Sequence, residues 1–299
     1  MKGIVTKKHL IFLLVSCPLL AGVVGVTEFF SEPTYTIAPQ EVGADQEKTK
    51  ILVVVGHDNE VWGTQFLGVK EVELNRILGL YLYDFLKSDP LFDPAITQTD
   101  GDYITELATF FKENIERIKE HREERRVAYR TERKLQEDAG EERDDVIVKH
   151  NPVTDDVANK LYGLGLWAED NAFDVLVHIH FNDYPGRPRG EAGKYSGFSM
   201  YVPHHGLKNS EESIALGKIV YGELLKQNAP SNLPVEKDGL IESAELIVLG
   251  ARNSLRVPSI LVEYGYIAEP RFNNAQRDAT LRDLAEQTYV ALKEFYVDK

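Results

Sequence analysis

Three short apolar runs in this sequence each end at side chains that can bind a metal or transfer a proton. They are residues 51–55 (ILVVV) before Gly56 and His57, residues 175–177 (VLV) before His178 and His180, and residues 260–262 (ILV) before Glu263. Runs of this length and composition indicate buried β-strands. In an open α/β sheet, functional side chains gather beyond the carboxyl ends of the strands. The runs therefore predict an enzyme active site at one edge of a sheet.

The rest of the chain alternates strand-like and helix-like patterns. Strand-like runs lie at 51–55, 174–179, 197–202 and 259–263, with a weaker one at 246–249, and helical periodicity covers 70–87, 157–169, 210–227 and 275–296. This alternation predicts an α/β layered fold with a mostly parallel or mixed sheet. We expect a linker at 32–48 and one catalytic domain at 49–299.

A highly charged segment interrupts the alternation. From Lys112 to Asp138, 17 of 27 residues are charged, and Gly140 is a natural helix stop. Apolar residues at 107, 111, 115 and 118 form a stripe only at its start. The pattern predicts a long charged helical insertion at about 110–145, with its first turns packed on the domain and its later turns in water. A second hypothesis is that the 112–138 helix is a regulatory or partner-binding element beside the active site.

The first 31 residues have the composition of a signal or an N-terminal membrane anchor. Lysines at 2, 7 and 8 precede an uncharged stretch from Leu10 to Val26. Three interpretations stay open: an uncleaved anchor, a lipobox that makes Cys17 a lipidated N-terminus, and ordinary cleavage. The lysines stay on the cytoplasmic side. Each interpretation places the folded part outside the cytoplasm, in the cell envelope.

Charge and cysteine usage narrow the ligand classes. The net charge is −14 and no basic stripe offsets it, which argues against a nucleic-acid partner. Cys17 is the only cysteine. A metal site in the catalytic domain must therefore consist of histidines and carboxylates.

The candidate residues for such a site are His57, the His178/His180 pair, Glu71 and Glu263. Two histidines and one glutamate form a known catalytic zinc set that leaves a coordination position open for water. A second carboxylate nearby can take the proton from that water, while the metal polarises a carbonyl oxygen. This combination favours hydrolysis of an amide or an ester.

Four blocks of the sequence resemble the bacterial zinc-dependent N-acetylmuramoyl-L-alanine amidases. They are residues 54–57 (VVGH), 68–75 with Glu71 and Asn75, 174–182 (DVLVHIHFN) and 258–267 (PSILVEYGYI). The resemblance covers roughly residues 50 to 297. It implies a twisted sheet flanked by helices and, as substrate, the amide bond between N-acetylmuramic acid and L-alanine in peptidoglycan.

The resemblance also implies roles for individual residues. His57, Glu71 and His180 would bind the zinc ion (Zn²⁺), and Glu263 would be catalytic. We place Asn182 and His178 among the residues that bind substrate, although His178 could instead lie behind a metal ligand and orient it through a neighbouring group. Some family members carry a helix in a comparable insertion that occludes the site until a partner removes it. An activator protein acting on the 112–138 helix is therefore a possible partner, beside peptidoglycan and the membrane.

Several alternatives remain open from the sequence. Glu73 or Glu60 could replace Glu71 as the ligand, although the block alignment favours Glu71. The His204–His205 pair lies in a predicted loop and is either simply exposed or in contact with substrate. The chain departs from the family pattern at Asp58-Asn59, where the family has two glycines, and at His178, where it usually has serine. Competing functions are a zinc peptidase or amidohydrolase for another amide, and a wall-binding adaptor without turnover.

Overall fold

The computed structural model describes residues 47–140, 153–184, 186–188, 190–250, 253 and 255–297. The predicted signal or anchor, most of the linker, and the end of the charged insertion lie outside these residues. Within the described ranges, no helix is both long and apolar enough to cross a membrane.

A six-stranded sheet forms the centre of the fold. Its strands are β1 (Thr49–Val55), β4 (Phe92–Ile96), β5 (Val175–Asn182), β6 (Ser199–Pro203), β7 (Leu240–Ser243) and β8 (Ser259–Tyr266). They lie in the order β4-β1-β5-β8-β6-β7, and all neighbours are parallel except β8 and β6. A separate hairpin of β2 (Gln65–Phe66) and β3 (Val69–Lys70) precedes the first helix. The predicted mostly parallel α/β sheet is confirmed.

Helices cover both faces of the sheet. They are α1 (Glu71–Ser88), α2 (Thr105–Glu113), α3 (Ile115–Asp138), α4 (Asp155–Asp170), α5 (Ser210–Leu225) and α6 (Arg277–Val297). On one face of the sheet, α1, α5 and α6 pack on the main core, which contains Val53, Val177 and Val262. On the other face, Trp167 of α4 packs with Leu52 and Leu176 in a second core. Because both faces are covered, the central strands contain unbroken apolar runs at 51–55, 175–177 and 260–262, without the alternation of a half-exposed strand.

Two strands at the sheet edges were not predicted, and one predicted strand is wrong. Residues 92–96 (FDPAI) form β4 although Asp93 and Pro94 interrupt the apolar pattern, which an edge position tolerates. The weak run at 246–249 forms a single 3₁₀ turn over Ile247–Leu249, and Gly250 ends it with φ 98°. The strand in this part of the chain is β7, six residues before the predicted run.

The charged insertion begins with two helices and not one. The first ends at Asn114, whose side-chain amide and backbone N–H both donate to the Phe110 carbonyl. In α3, Ile118 is completely buried against Tyr162 and Leu166 of α4. Most later side chains of α3 are exposed, as predicted, although the Tyr129 hydroxyl donates to Glu245 at 3.1 Å. The predicted long charged helix corresponds to α3, with its start packed on the domain, and the break at Asn114 separates it from α2.

Candidate metal centre and active site

The carboxyl ends of β1, β5 and β8 lie side by side. Val55 is in register with Ile179, and His180 is in register with Glu263. The chain leaves β1 at Gly56 and His57 on the same edge. The structure therefore brings together residues from three strands that are more than 200 positions apart in the sequence.

His57, Glu71 and His180 form a compact donor cluster, with their potential ligand atoms all within 4.8 Å of one another. His57 Nε2 lies 3.1 Å from Glu71 Oε1, and His180 Nδ1 lies 3.0 Å from the same oxygen. The histidine side chains are 27% and 20% exposed, whereas Glu71 is almost completely buried. The cluster is thus closed on the protein side and open to solvent on the histidine side.

The hairpin before α1 fixes Glu71. Its backbone N–H donates to the Thr64 carbonyl at 2.9 Å, and the Thr64 N–H donates to Glu71 Oε2 at 3.0 Å. The Phe181 N–H donates to the other oxygen at 3.3 Å. Burial alone would raise the pKa of Glu71, but His57 and His180 outweigh it and lower the pKa. Glu71 is therefore an ionised carboxylate pointed at two imidazoles.

His57 adopts a left-handed backbone conformation, with φ 66°. This conformation is uncommon for residues other than glycine and needs support from its surroundings. The Asn75 amide donates to the Gly56 carbonyl at 2.9 Å, and the Gln98 amide donates to the His57 carbonyl at 2.5 Å. Both amides are completely buried. Asn75 belongs to a family-like sequence block, whereas Gln98 has no sequence signal that identifies its role.

Two glycines allow the cluster to be this compact. A Cβ at Gly56 would lie 2.4 Å from Cε1 of His180, and one at Gly63 would lie 2.2 Å from Oε2 of Glu71. Gly63 also has φ 76°, which a larger residue rarely adopts. The donor cluster therefore fills space that any other residue at these two positions would occupy.

Glu263 lies beside His180 on the neighbouring strand. Its Oε2 atom is buried, and no other residue that the structure describes forms a hydrogen bond with it. Burial raises its pKa well above the usual value, and the charges of Glu71 and Glu236 raise the pKa further. An unpartnered carboxyl oxygen next to a metal-ligand cluster is suited to accepting a proton.

Asn182 and His178 lie on the same face of β5 as His180, because alternate residues of a strand share a face. The Asn182 amide donates to Glu236 at 2.8 Å and is partly exposed. His178 is only 1% exposed, and burial, followed by the charge of His180, lowers its pKa to about 3. The neutral His178 ring thus lies behind the cluster without a surface open to substrate, which favours the expected place behind a ligand over a place lining the site.

The alternative glutamate ligands have other partners. Glu73 accepts the Lys70 N–H at 3.4 Å at the start of α1, and Glu60 pairs with Lys160 at 2.9 Å. Lys160 also pairs with the buried Asp58 at 3.1 Å, which stabilises the turn where the family has glycines. Neither Glu73 nor Glu60 belongs to the His57 cluster.

The His204–His205 pair lies at the opposite edge of the sheet. Because β6 is antiparallel to β8 and pairs Ser199 with Glu263, His204, five residues after Ser199, lies about 17 Å further along the strand direction. His205 Nδ1 is 2.8 Å from Glu242 Oε2, and with His204 they form a second group of possible metal donors. The His205 side chain is 61% exposed. This position does not favour contact with a substrate bound near Glu263.

The chemistry and spacing of the donor cluster fit a zinc ion. Zinc in catalytic sites takes three protein ligands of this kind at about 2.0–2.2 Å, so that two ligands of a tetrahedral ion lie about 3.4 Å apart. The His57–Glu71 and His180–Glu71 separations of 3.1 and 3.0 Å are close to this value. The partly exposed imidazole side leaves room for water or substrate.

The architecture of the described residues is that of amidase catalytic domains with a mostly parallel α/β sheet. One similar solved structure is an N-acetylmuramoyl-L-alanine amidase from Clostridium difficile 630, with 16% identity, a TM-score of 0.51 and coverage of 85% of this chain and 99% of that chain. Another is an N-acetylmuramyl-L-alanine amidase from Mycobacterium smegmatis, with 13% identity, a TM-score of 0.56 and coverage of 84% of this chain and 98% of that chain. A third is the CwlD amidase from Clostridioides difficile in complex with the GerS lipoprotein, with 15% identity, a TM-score of 0.54 and coverage of 84% of this chain and 100% of that chain.

A family model described as N-acetylmuramoyl-L-alanine amidase matches residues 51–294. The chain therefore belongs to the N-acetylmuramoyl-L-alanine amidase family, which makes it a hydrolase by family. No significant match was found among curated protein sequences. The family resemblance predicted from the four sequence blocks is confirmed.

Proposed function

We propose that this protein is a zinc-dependent amidase that cleaves the bond between N-acetylmuramic acid and L-alanine in peptidoglycan. The observation that supports it most is the placement of Glu263, with its unpartnered carboxyl oxygen, beside the cluster of His57, Glu71 and His180. Family membership supports the substrate class.

Each residue of the site has a distinct task in this proposal. His57, Glu71 and His180 would hold the zinc ion, which, when bound, would polarise the scissile carbonyl and make a water molecule more acidic. Glu263 accepts the proton of the attacking water and then passes it to the departing alanine nitrogen. Burial and the charges of Glu71 and Glu236 raise the pKa of Glu263, which favours its taking up the proton that it later donates.

The test is product analysis with purified muropeptides and the variant Glu263→Gln. We expect the wild-type protein to release a free alanine amino group and an intact muramyl lactyl carboxylate. Glu263→Gln should keep its zinc and lose roughly a hundred- to ten-thousandfold in kcat. Cleavage at another amide would indicate a peptidase of related architecture, and absence of turnover with zinc bound would indicate a wall-binding adaptor. Full activity of Glu263→Gln would remove Glu263 from the mechanism.

We further propose that the protein acts outside the cytoplasm, held at the membrane by its first 31 residues or by a lipid on Cys17. The substrate class supports this location, and so does the pattern of lysines and apolar residues in the sequence. Fractionation of cells that express the wild-type chain and Cys17→Ser tests it. Release of the variant alone from the membrane fraction would support lipidation. Recovery of both proteins in the cytoplasm would contradict the proposal.

We also propose that the charged helix α3 is the binding surface for an activator protein. The exposed length of α3 supports this idea, and the CwlD amidase, a protein with a similar fold, was solved in complex with a lipoprotein. Deletion of residues 119–145 leaves Ile118 and its packing in place. Loss of activation by envelope extracts, with basal activity kept, would support the proposal. If the deletion variant has wild-type activity both with and without envelope extracts, α3 is not the binding surface for an activator.

A further inference from the structure

A buried carboxylate, Glu236, lies behind the candidate active site and accepts hydrogen bonds on both oxygens. It is 1% exposed. The donors are Asn182 Nδ2 at 2.8 Å and the Tyr201 hydroxyl at 2.8 Å on Oε1, and the Ser231 hydroxyl at 2.6 Å and the Tyr266 hydroxyl at 2.8 Å on Oε2. Burying a carboxylate is costly unless it is fully hydrogen-bonded. Four donors meet that requirement, so the position of Glu236 is tightly defined.

Glu236 determines which end of the Asn182 amide faces the site. An asparagine amide has a donor end and an acceptor end, and both oxygens of Glu236 act as acceptors in the hydrogen bonds that the structure shows. The Asn182 nitrogen must therefore face Glu236, and Oδ1 must face away from it. Within the described residues no donor reaches Oδ1, and this atom is not among the buried unpartnered ones. Asn182 thus offers a free acceptor two residues beyond His180.

We propose that Glu236 is a positioning residue that holds Asn182 so that Oδ1 accepts a hydrogen bond from a backbone N–H of the substrate's stem peptide. The inference rests on the proposed amidase function and deepens it, because it names the substrate group that is recognised. A reversed amide would present a donor and would suit a carbonyl instead. Glu236 thereby selects the peptide N–H as the matching group and does not itself touch substrate.

The first test is a double-mutant cycle on Asn182 and Glu236, with kcat and KM measured on a muramyl peptide. Loss of one hydrogen bond to substrate predicts about a tenfold higher KM for Asn182→Ala, with a smaller change in kcat. Glu236→Ala should have a similar effect, and the double variant should be no worse than either single one. Glu236→Gln should keep KM near the wild-type value, because the Gln oxygen can still accept the Asn182 amide, whereas kcat should change, because the Glu236 charge that raises the pKa of Glu263 is lost.

The matched control is Ser231→Ala. It removes a donor to the same carboxylate, but on the oxygen that does not contact Asn182, so KM should stay near the wild-type value. The inference is overturned if the increases in KM of the two single variants multiply in the Asn182/Glu236 double variant. It is also overturned if Ser231→Ala raises KM as much as Glu236→Ala does. Either result would show that Glu236 has a merely structural role. Zinc content and thermal midpoint, measured for every variant, identify losses that come from unfolding.

A second test covers the case in which Glu236→Ala fails to fold. Asn182→Asp places two carboxylates against each other and should raise KM. Adding Glu236→Gln restores a donor–acceptor pair with reversed roles and leaves an acceptor facing substrate, so KM should return to near wild type. Absence of this recovery overturns the inference while the proposed function stands. If the wild-type protein does not cleave muramyl-L-alanine amides, both the proposed function and this inference are wrong.

Discussion

His180 and Glu263 are register partners on the adjacent parallel strands β5 and β8. Neighbouring strands lie about 4.8 Å apart, so the register alone places the imidazole beside the carboxyl group. A slip of one residue would move the Glu263 side chain to the opposite face of the sheet. The proposed proton carrier and the proposed metal ligand are thus held together by the most buried part of the protein, without a loop between them.

The first prediction concerns metal binding. His57→Ala and His180→Ala each remove one of three donors and should reduce bound zinc from about one equivalent to nearly none after dialysis. Elemental analysis of the purified 48–299 fragment measures this directly. His205→Ala is the matched control, because it removes a histidine from the other His/Glu group, at the opposite sheet edge. If His205→Ala lost zinc and His57→Ala kept it, the metal would bind at the His204–His205–Glu242 group, and our assignment would be wrong.

The second prediction concerns Gly56. Its Cβ position lies 2.4 Å from His180 Cε1 and 2.6 Å from the Ile179 carbonyl oxygen, so Gly56→Ala must displace the imidazole or the strand. We expect zinc affinity to fall by about ten- to a hundredfold, the range seen when groups around metal ligands are altered. Competition with a chromogenic chelator measures the affinity. Gly222→Ala, with nothing within 4 Å on the surface of α5, should bind zinc like wild type.

The sequence was sufficient for the central strands and most helices, because runs such as 51–55 and 260–262 carry an unbroken apolar pattern. It was insufficient for β4 and β7, since edge strands bury less surface and tolerate polar residues. The break at Asn114 depends on a local side-chain hydrogen bond that competes with the helix. Gln98 and Glu236 contact the site from distant segments, so only the folded chain reveals their partners.

The third prediction concerns the pH dependence of stability at Asp89. This residue is 7% exposed and accepts hydrogen bonds from Lys293 at 2.7 Å, the Leu91 N–H at 3.0 Å and the Tyr289 hydroxyl at 2.7 Å. Burial alone would raise its pKa, but these donors outweigh burial and lower the pKa. The ionised form is therefore favoured in the folded protein, and Asp89 links the end of α1 to α6.

A lowered pKa stabilises the fold at pH values above the unfolded pKa, which is about 3.9, and the stabilisation is lost as the pH falls below it. Asp89→Asn should lower the free energy of unfolding by about 1–3 kcal/mol at pH 7. The difference from wild type should shrink as the pH falls below about 4. Urea unfolding at both pH values measures it. Asp93→Asn, at an exposed position of β4, should change stability by less than about 0.5 kcal/mol, and a pH-independent Asp89→Asn effect would contradict the ionic origin.

The last prediction separates the packed start of α3 from its exposed remainder. Ile118 is completely buried between α3 and α4, and its Cδ1 atom lies 2.8 Å from the Cβ position of Gly163. Removing its side chain creates a cavity, so Ile118→Ala should cost about 2–5 kcal/mol of folding free energy. Leu135→Ala, at a side chain that is 64% exposed, should cost less than about 0.5 kcal/mol. Chemical denaturation of both variants measures the difference. Equal losses would mean that the whole of α3 is packed in solution, which would leave no exposed length for an activator protein to bind.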